Sequence, residues 1–253
     1  MIQGLDRFRD HFDGLESSYF LIGGVATQLV LDDAGLGSRT TKDLDVVLCA
    51  EALDDAFVQR FWTLVAEARY AVRQAGSSPR RYFRFMKPST DDYPVMIELF
   101  SRRLDPIAVP AHAHLTPVPT GEDLSSLSAI LIDDDLYPWL LDGRTTLDGV
   151  PIVGTDHLIA LKLRAYLDLS KRRDAGDPVH SKDIKKHRSD VLRLLQVVVP
   201  ESRDDVPHAV REDAARFLAR VRAESPDVRA LRLAFGDLSQ ALDVLRVRFD
   251  ARG

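Results

Sequence analysis

Residues 21–48, LIGGVATQLVLDDAGLGSRTTKDLDVVL, decide how this chain is read. Together with Tyr19 and Phe20, the apolar run to Ile22 predicts a short buried strand that enters a tight turn at Gly23-Gly24. Val25 to Leu31 follows with helical spacing, and the Gly- and Ser-containing stretch from Gly35 to Thr41 reads as a loop. Leu44 to Leu48 predicts a second strand, with Asp43 at its edge and Asp45 within it. Residues i and i+2 of a strand share a face, so Asp43 and Asp45 stand side by side. Adjacent carboxylates repel and are costly as structure alone. Either they are solvated acids on an exposed face, or a divalent cation relieves the repulsion. Mg²⁺ prefers carboxylate oxygens completed by substrate phosphates. The glycine pair likewise has two readings. It is a simple turn, or it lets backbone approach a ligand while the following helix offers N–H groups to a phosphate.

Outward from this stretch, residues 1–16 pattern as an amphipathic helix carrying Leu5, Phe8 and Phe12, and 51–70 as another carrying Phe57, Phe61, Leu64 and Val65. Tyr82 to Met86 and Val95 to Phe100 are strand candidates separated by a turn from Pro88 to Asp92, so a β-meander is expected around the carboxylates. Glu98 interrupts an otherwise apolar strand, where a charge needs a partner, a metal or an exposed alternation position. Three carboxylates holding two metal ions can activate a hydroxyl and stabilise a leaving pyrophosphate. Arg39 and Thr41 precede the acids; they either contact phosphate oxygens or bond the loop backbone. Residues 101–127 look irregular, and Ala129 to Ile132 with Gly149 to Val153 suggest an edge hairpin.

From Thr155 the character changes. A helix capped by Thr155 or Asp156 runs through Leu158, Leu161, Leu163 and Leu167, and further helices are expected over 182–198, 207–224 and 227–248. The expected architecture is α+β: a mixed sheet with flanking helices in a domain over 1–154, then a helical domain over 155–253. Lys162 flanks a buried face, so it snorkels to water or pairs with an acid; an interhelix pair with Asp183 is the structural reading. Lys171, Arg172, Arg173, Lys182, Lys185 and Lys186 form a basic patch in an acidic chain. It is either a solvated face or a groove for an RNA backbone. Asp190 is given a local capping or pairing role and no catalytic one.

Gly23-Gly24, then Arg39-Thr40-Thr41 leading into Asp43-Leu44-Asp45, then a later strand carboxylate, resemble the DNA polymerase β-like nucleotidyltransferase superfamily. The Leu161-Lys162-Leu163-Arg164-Ala165 helix followed by Lys182-Asp183 narrows the resemblance to AbiEii-type nucleotidyltransferases, the toxin halves of type IV toxin–antitoxin systems. The resemblance spans roughly residues 19–195. It departs from the superfamily's usual Gly-Ser in having Gly24 at the serine position and a longer gap before the acids. It implies a nucleotidyltransferase-like fold, with the helical domain completing the active-site cleft. It implies Mg²⁺ or Mn²⁺ held by Asp43, Asp45 and Glu98, and an NTP bound through Gly23, Gly24, Arg39, Thr41 and Lys162. Asp183 would be a further essential acid that orients Lys162 or the active-site loop. The implied acceptor is an RNA, in particular a transfer RNA 3′ end, and a cognate antitoxin would be the protein partner. The same chemistry on a protein or a small molecule such as an aminoglycoside, and a nucleotide-binding module without turnover, are the alternatives.

The 253 residues are 45% hydrophobic and 29% charged, a composition that argues against disorder. A single cysteine, Cys49, rules out an intrachain disulfide framework or a four-thiolate zinc site and suits a reducing cytoplasm. No apolar run reaches the roughly 18 residues of a membrane span, and the charged N-terminal stretch lacks the apolar core of a signal peptide. The net charge of −5 gives no global basic field. His112 and His114 lack companions for a zinc set, and Asp133-Asp134-Asp135 reads as a solvated turn.

Overall fold

The segment that decides the reading forms a strand, a helix and a strand in the computed structural model, which describes residues 2–49, 52, 54–75, 82–100, 115–117, 136–231 and 233–251. Strand β1 (Tyr19–Ile22) is wholly buried, helix α2 (Gly23–Asp33) starts at the first glycine, and β2 (Asp43–Leu48) returns antiparallel to β1. Helix α1 covers Leu5–His11 with Phe12 as its C-cap, ending well before residue 16, and Gly14 beyond it turns the chain at a left-handed φ of 80°. Helix α3 spans Asp55–Ala68 and is capped by Asp54, whose carboxylate accepts from the Phe57 N–H at 2.8 Å.

Strands β3 (Ala71–Ala75), β4 (Tyr82–Met86), β5 (Met96–Phe100), β6 (Leu115–Pro117), β7 (Arg144–Leu147) and β8 (Val150–Val153) complete one eight-stranded sheet in the order β6-β3-β4-β5-β2-β1-β8-β7. The sheet is mixed. β3, β4 and β5 are antiparallel in sequence, but β5 lies parallel to β2. The carboxylates therefore sit at a parallel seam rather than inside a simple meander. The hairpin partner of β8 is β7, not a strand at Ala129–Ile132, a segment outside the described residues. Helix α4 (Leu136–Asp142), which the sequence reading missed, immediately precedes β7; Pro138 falls in its first turn, where the missing N–H costs nothing.

The strand pleat sorts the sheet into two faces. Leu44, Val46, Leu48, Ile97, Leu99 and Phe85 are buried on one. Against it, α1 and α3 bring an aromatic cluster in which Phe12 and Phe57 stack at 5.1 Å and Phe61 meets Phe85 edge-on at 5.0 Å. The alternate positions of β2 and β5, Asp43, Asp45 and Glu98, fall on the opposite face.

Residues 154–253, with 34–36, form a second compact unit; the first comprises 1–33 and 37–153. It contains α5 (Thr155–Asp174), α6 (Ser181–Leu194), α7 (His208–Glu224) and α8 (Leu238–Arg248). Twelve of the twenty α5 residues are buried, so it forms the unit's central helix. Helix α8 begins at 238 rather than 227 because the Asp237 side chain caps it, accepting from the Gln240 N–H at 3.0 Å.

Asp156, in the first turn of α5, ties this unit together. Its carboxylate accepts from Arg248 at 2.8 and 2.7 Å and from Arg203 at 2.7 Å. Burial pushes its pKa up, but the hydrogen bonds and charges of Arg248 and Arg203 outweigh burial and hold it below the ordinary value. A depressed carboxylate pKa stabilises the fold above the unfolded pKa of about 4 and loses that contribution as pH falls below it. Asp156→Asn is expected to lower unfolding stability near pH 7 by about 3 kcal/mol. In urea titrations from pH 7 to pH 2, the gap between wild type and variant should close below about pH 4. No described helix is long and apolar enough to cross a membrane.

Candidate active site

The turn from β1 into α2 is built against the acids. Gly23 has φ +67°, and a Cβ placed there would lie 1.7 Å from the Asp45 Oδ2. The glycine backbone thus rests directly on the Asp45 carboxylate. A Cβ on Gly24 would lie 2.7 Å from the Thr41 Oγ1 and 3.2 Å from its Cβ. Both glycines are therefore demanded by close approach, and this need was invisible in the sequence. The first N–H groups of α2 have no acceptor within their own helix, as at any helix start.

The loop preceding β2 is fastened to α2. Thr41 is buried, and its N–H donates to the Gln28 Oε1 at 3.2 Å. Gln28 in turn donates through Nε2 to the Asp32 Oδ2 at 3.4 Å, and the Ser38 hydroxyl donates to the Asp32 Oδ1 at 2.6 Å. Gln28 is a residue the sequence reading passed over, because its side chain lies on a helix and its partner lies thirteen positions on. Arg39 stands exposed on the same loop.

Asp43 and Asp45 are half-buried, two positions apart on β2. In register, Asp45 lies between Ile22 of β1 and Glu98 of β5. Glu98 is 8% exposed. It is not a solvated alternation position, because Arg84, its register partner on β4, donates from Nε to its Oε1 at 2.6 Å and forms an ion pair with the same oxygen, Nη2 lying 2.5 Å away. Arg84 is the second residue missed; it lies in a recognised strand, but the sequence does not specify which residue it faces. Among the described residues, no group of three or more His, Cys, Asp or Glu side chains is arranged to hold a metal. Asp43, Asp45 and Glu98, the carboxylates expected at a cation, stand on one face of β2 and β5, with Glu98 held by Arg84. Two carboxylates beside the backbone cradle at Gly23 suit a hard cation that completes its shell with water and phosphate oxygens.

In the second unit, Lys162 is buried and its Nζ lies 2.9 Å from the Asp190 Oδ2. The expected Lys162–Asp183 pair is thus corrected to Lys162–Asp190. Asp183 lies in the first turn of α6, half-buried. It shares a helical face with Asp190 but is offset by about 10 Å along the axis, which puts it beyond the reach of a lysine already held at Asp190.

The basic patch divides. Lys171, Lys182 and Lys185 are exposed, whereas Arg172, Arg173 and Lys186 are half-buried. Arg172 pairs with Asp177 at 3.3 Å. A groove of about 820 Å³ runs between α5 and α7. Its arginines are engaged with acids: Arg164 with Asp213, and Arg220 with Asp174 at 2.8 Å. That groove, which Lys171 also lines, is therefore of mixed charge rather than an electropositive channel. His112, His114 and Asp133-Asp134-Asp135 lie outside the described residues. Cys49 is buried, with the Arg144 Nη1 donating to its Sγ at 3.1 Å.

No family model and no curated protein matches the sequence. Solved structures that resemble it include an antigenic nucleotidyltransferase-like protein from Paracoccidioides brasiliensis, 16% identical. That alignment covers 96% of this chain and 91% of that one at a TM-score of 0.45. A likeness at that level carries no function across.

Proposed function

We propose that the chain is a divalent-cation-dependent nucleotidyltransferase that transfers a nucleoside monophosphate from an NTP to an acceptor hydroxyl. The observation that carries this reading is the seating of the Gly23 backbone on the Asp45 carboxylate, with Asp43 two positions away on the same face. It brings a helix start, which favours phosphate, next to carboxylates, which favour a cation. Mg²⁺ or Mn²⁺ held by Asp43 and Asp45 would supply charge neutralisation at the reacting phosphate and the leaving pyrophosphate.

The chain's own groups do the rest. Gly23 and Gly24 shape a turn whose backbone meets the phosphates. Thr41 and Gln28 hold the loop that presents Arg39 to triphosphate oxygens. The acceptor oxygen bonds to the α-phosphorus as the bond from that phosphorus to the bridging oxygen breaks, and pyrophosphate leaves. A carboxylate of this face takes the acceptor's proton. Glu98, the third carboxylate of the face, reaches it only under the hold of Arg84. The motifs around Lys162 and Lys182-Asp183 and the exposed lysines at 171, 182 and 185 favour an RNA acceptor, most specifically a transfer RNA 3′ end, and a toxin with a cognate antitoxin.

A transfer assay tests this. Protein, Mg²⁺ and each α-labelled NTP are incubated in turn with total RNA and with total protein, beside Asp43→Ala and Asp45→Ala variants. Label on small RNA, lost in both variants, is the expected result. Label on protein keeps the chemistry and overturns the acceptor. No label with any NTP from the folded protein overturns the enzyme reading in favour of a binding module.

A further inference from the structure

We propose that Arg84 governs cation uptake at the Asp43–Asp45 face, by holding Glu98 in an ion pair so that the cation enters together with the nucleotide's phosphates rather than ahead of them. The inference rests on the nucleotidyltransferase reading and adds an order of binding to it.

Register places Glu98 beside Asp45 and Arg84 beside Glu98, all on one face. Side-chain exposure is 10% for Glu98 and 19% for Arg84. A carboxylate this enclosed needs a counter-charge. The guanidinium supplies it with a hydrogen bond from Nε and an ion pair at the same oxygen, Oε1. Arg84 offsets the charge of Glu98, one of the three carboxylates of this face. The three carboxylates occupy neighbouring register positions. Two carboxylates bind Mg²⁺ or Mn²⁺ weakly, and the hard cation's remaining positions are filled by water until phosphate oxygens arrive. Arg84 and a cation compete for the same negative charge, so the arginine keeps the site's affinity for the bare cation low. Arg84 is a positioning residue here: it acts through Glu98.

The experiment measures Mn²⁺ binding to the nucleotide-free protein by electron paramagnetic resonance of the unbound ion. It is repeated with a mixture of the four ribonucleoside triphosphate analogues that carry a non-cleavable α–β bridge. Wild type is expected to bind Mn²⁺ at least tenfold tighter with the analogues than without. R84Q is expected to tighten nucleotide-free binding by roughly tenfold, the order of effect of one uncompensated charge a few ångströms away. R84Q/E98Q removes one positive and one negative charge together, so it leaves the net charge of the face unchanged and is expected to bind as wild type does. That double variant removes the ion pair as a unit, so it decides the matter even if R84Q does not fold. Loss of tenfold or more in nucleotide-free affinity in R84Q/E98Q would show Glu98 ligating in the wild type and would overturn the proposal. D45N separates the two levels: unchanged Mn²⁺ binding there overturns the site reading itself, whatever the Arg84 variants do.

Discussion

Gly23→Ala is expected to displace the Asp45 carboxylate and abolish nucleotidyl transfer, while costing the fold the left-handed backbone penalty of about 1–2 kcal/mol and, on top of it, the displacement of that carboxylate. The two effects have separate origins. The backbone part of the stability loss comes from φ: at +67° an L-residue carries the left-handed penalty of about 1–2 kcal/mol, to which the displaced carboxylate adds. The functional loss comes from contact. A methyl group 1.7 Å from the Asp45 Oδ2 cannot coexist with it, and the carboxylate, being the end of a rotatable side chain, is what yields. Backbone and sheet register should therefore survive. A double-mutant cycle in urea isolates the contact. In an Asp45→Ala background the Gly23→Ala change should cost the backbone penalty alone, and the difference between backgrounds is the clash. No coupling between the positions would mean that Gly23 serves the turn and not the acid. Gly24→Ala makes the contrast. There the first obstacle is Thr41, with its Oγ1 at 2.7 Å and its Cβ at 3.2 Å, on a loop that Gln28 pins. The expected consequence is a shifted loop with Asp45 left in place.

The sheet strands that bear the acids were legible because their pattern is two-fold. Leu44, Val46 and Leu48 are apolar and Asp43 and Asp45 are not, so alternation alone assigns the faces. Which glycine atoms touch which acid was not legible, since the Gly23–Asp45 approach joins residues twenty-two positions apart through the β1–β2 register. The same reason hid Arg84. Its strand was readable, but its pairing with Glu98 depends on how the intervening turn sets the β4–β5 register, and a slip of one residue would send it to the aromatic face. Asp190 was hidden by helical degeneracy. Positions 183, 187 and 190 fall on one face, so periodicity admits either acid as the partner of Lys162. The choice is made by the axial offset of α6 against α5, which the connection at 175–180 fixes and no local pattern encodes. Sequence periodicity reported faces well, and it reported axial position and cross-strand register poorly. The site chemistry depends on both.

Lys162→Met is expected to destabilise the protein by about 3–5 kcal/mol, and Asp190→Leu by a similar amount. The side chains are 5% and 6% exposed, so either change removes the opposite charge from a group that solvent cannot reach. The Lys162→Met/Asp190→Leu double variant should recover most of the loss, because two desolvated charges are then replaced by packed apolar groups. Asp183→Asn should cost no more than about 0.3–1 kcal/mol, the value of an acid in the first turn of a helix. Urea denaturation of the four variants checks this, and a loss at Asp183 as large as that at Asp190 would return the pairing to Asp183. The double variant also separates two roles of Lys162. If it folds with near wild-type stability and still transfers nucleotide, the lysine serves packing. If it folds and transfers none, the charge that Asp190 holds in place is also used on the substrate, and the buried pair is the means by which that charge is positioned.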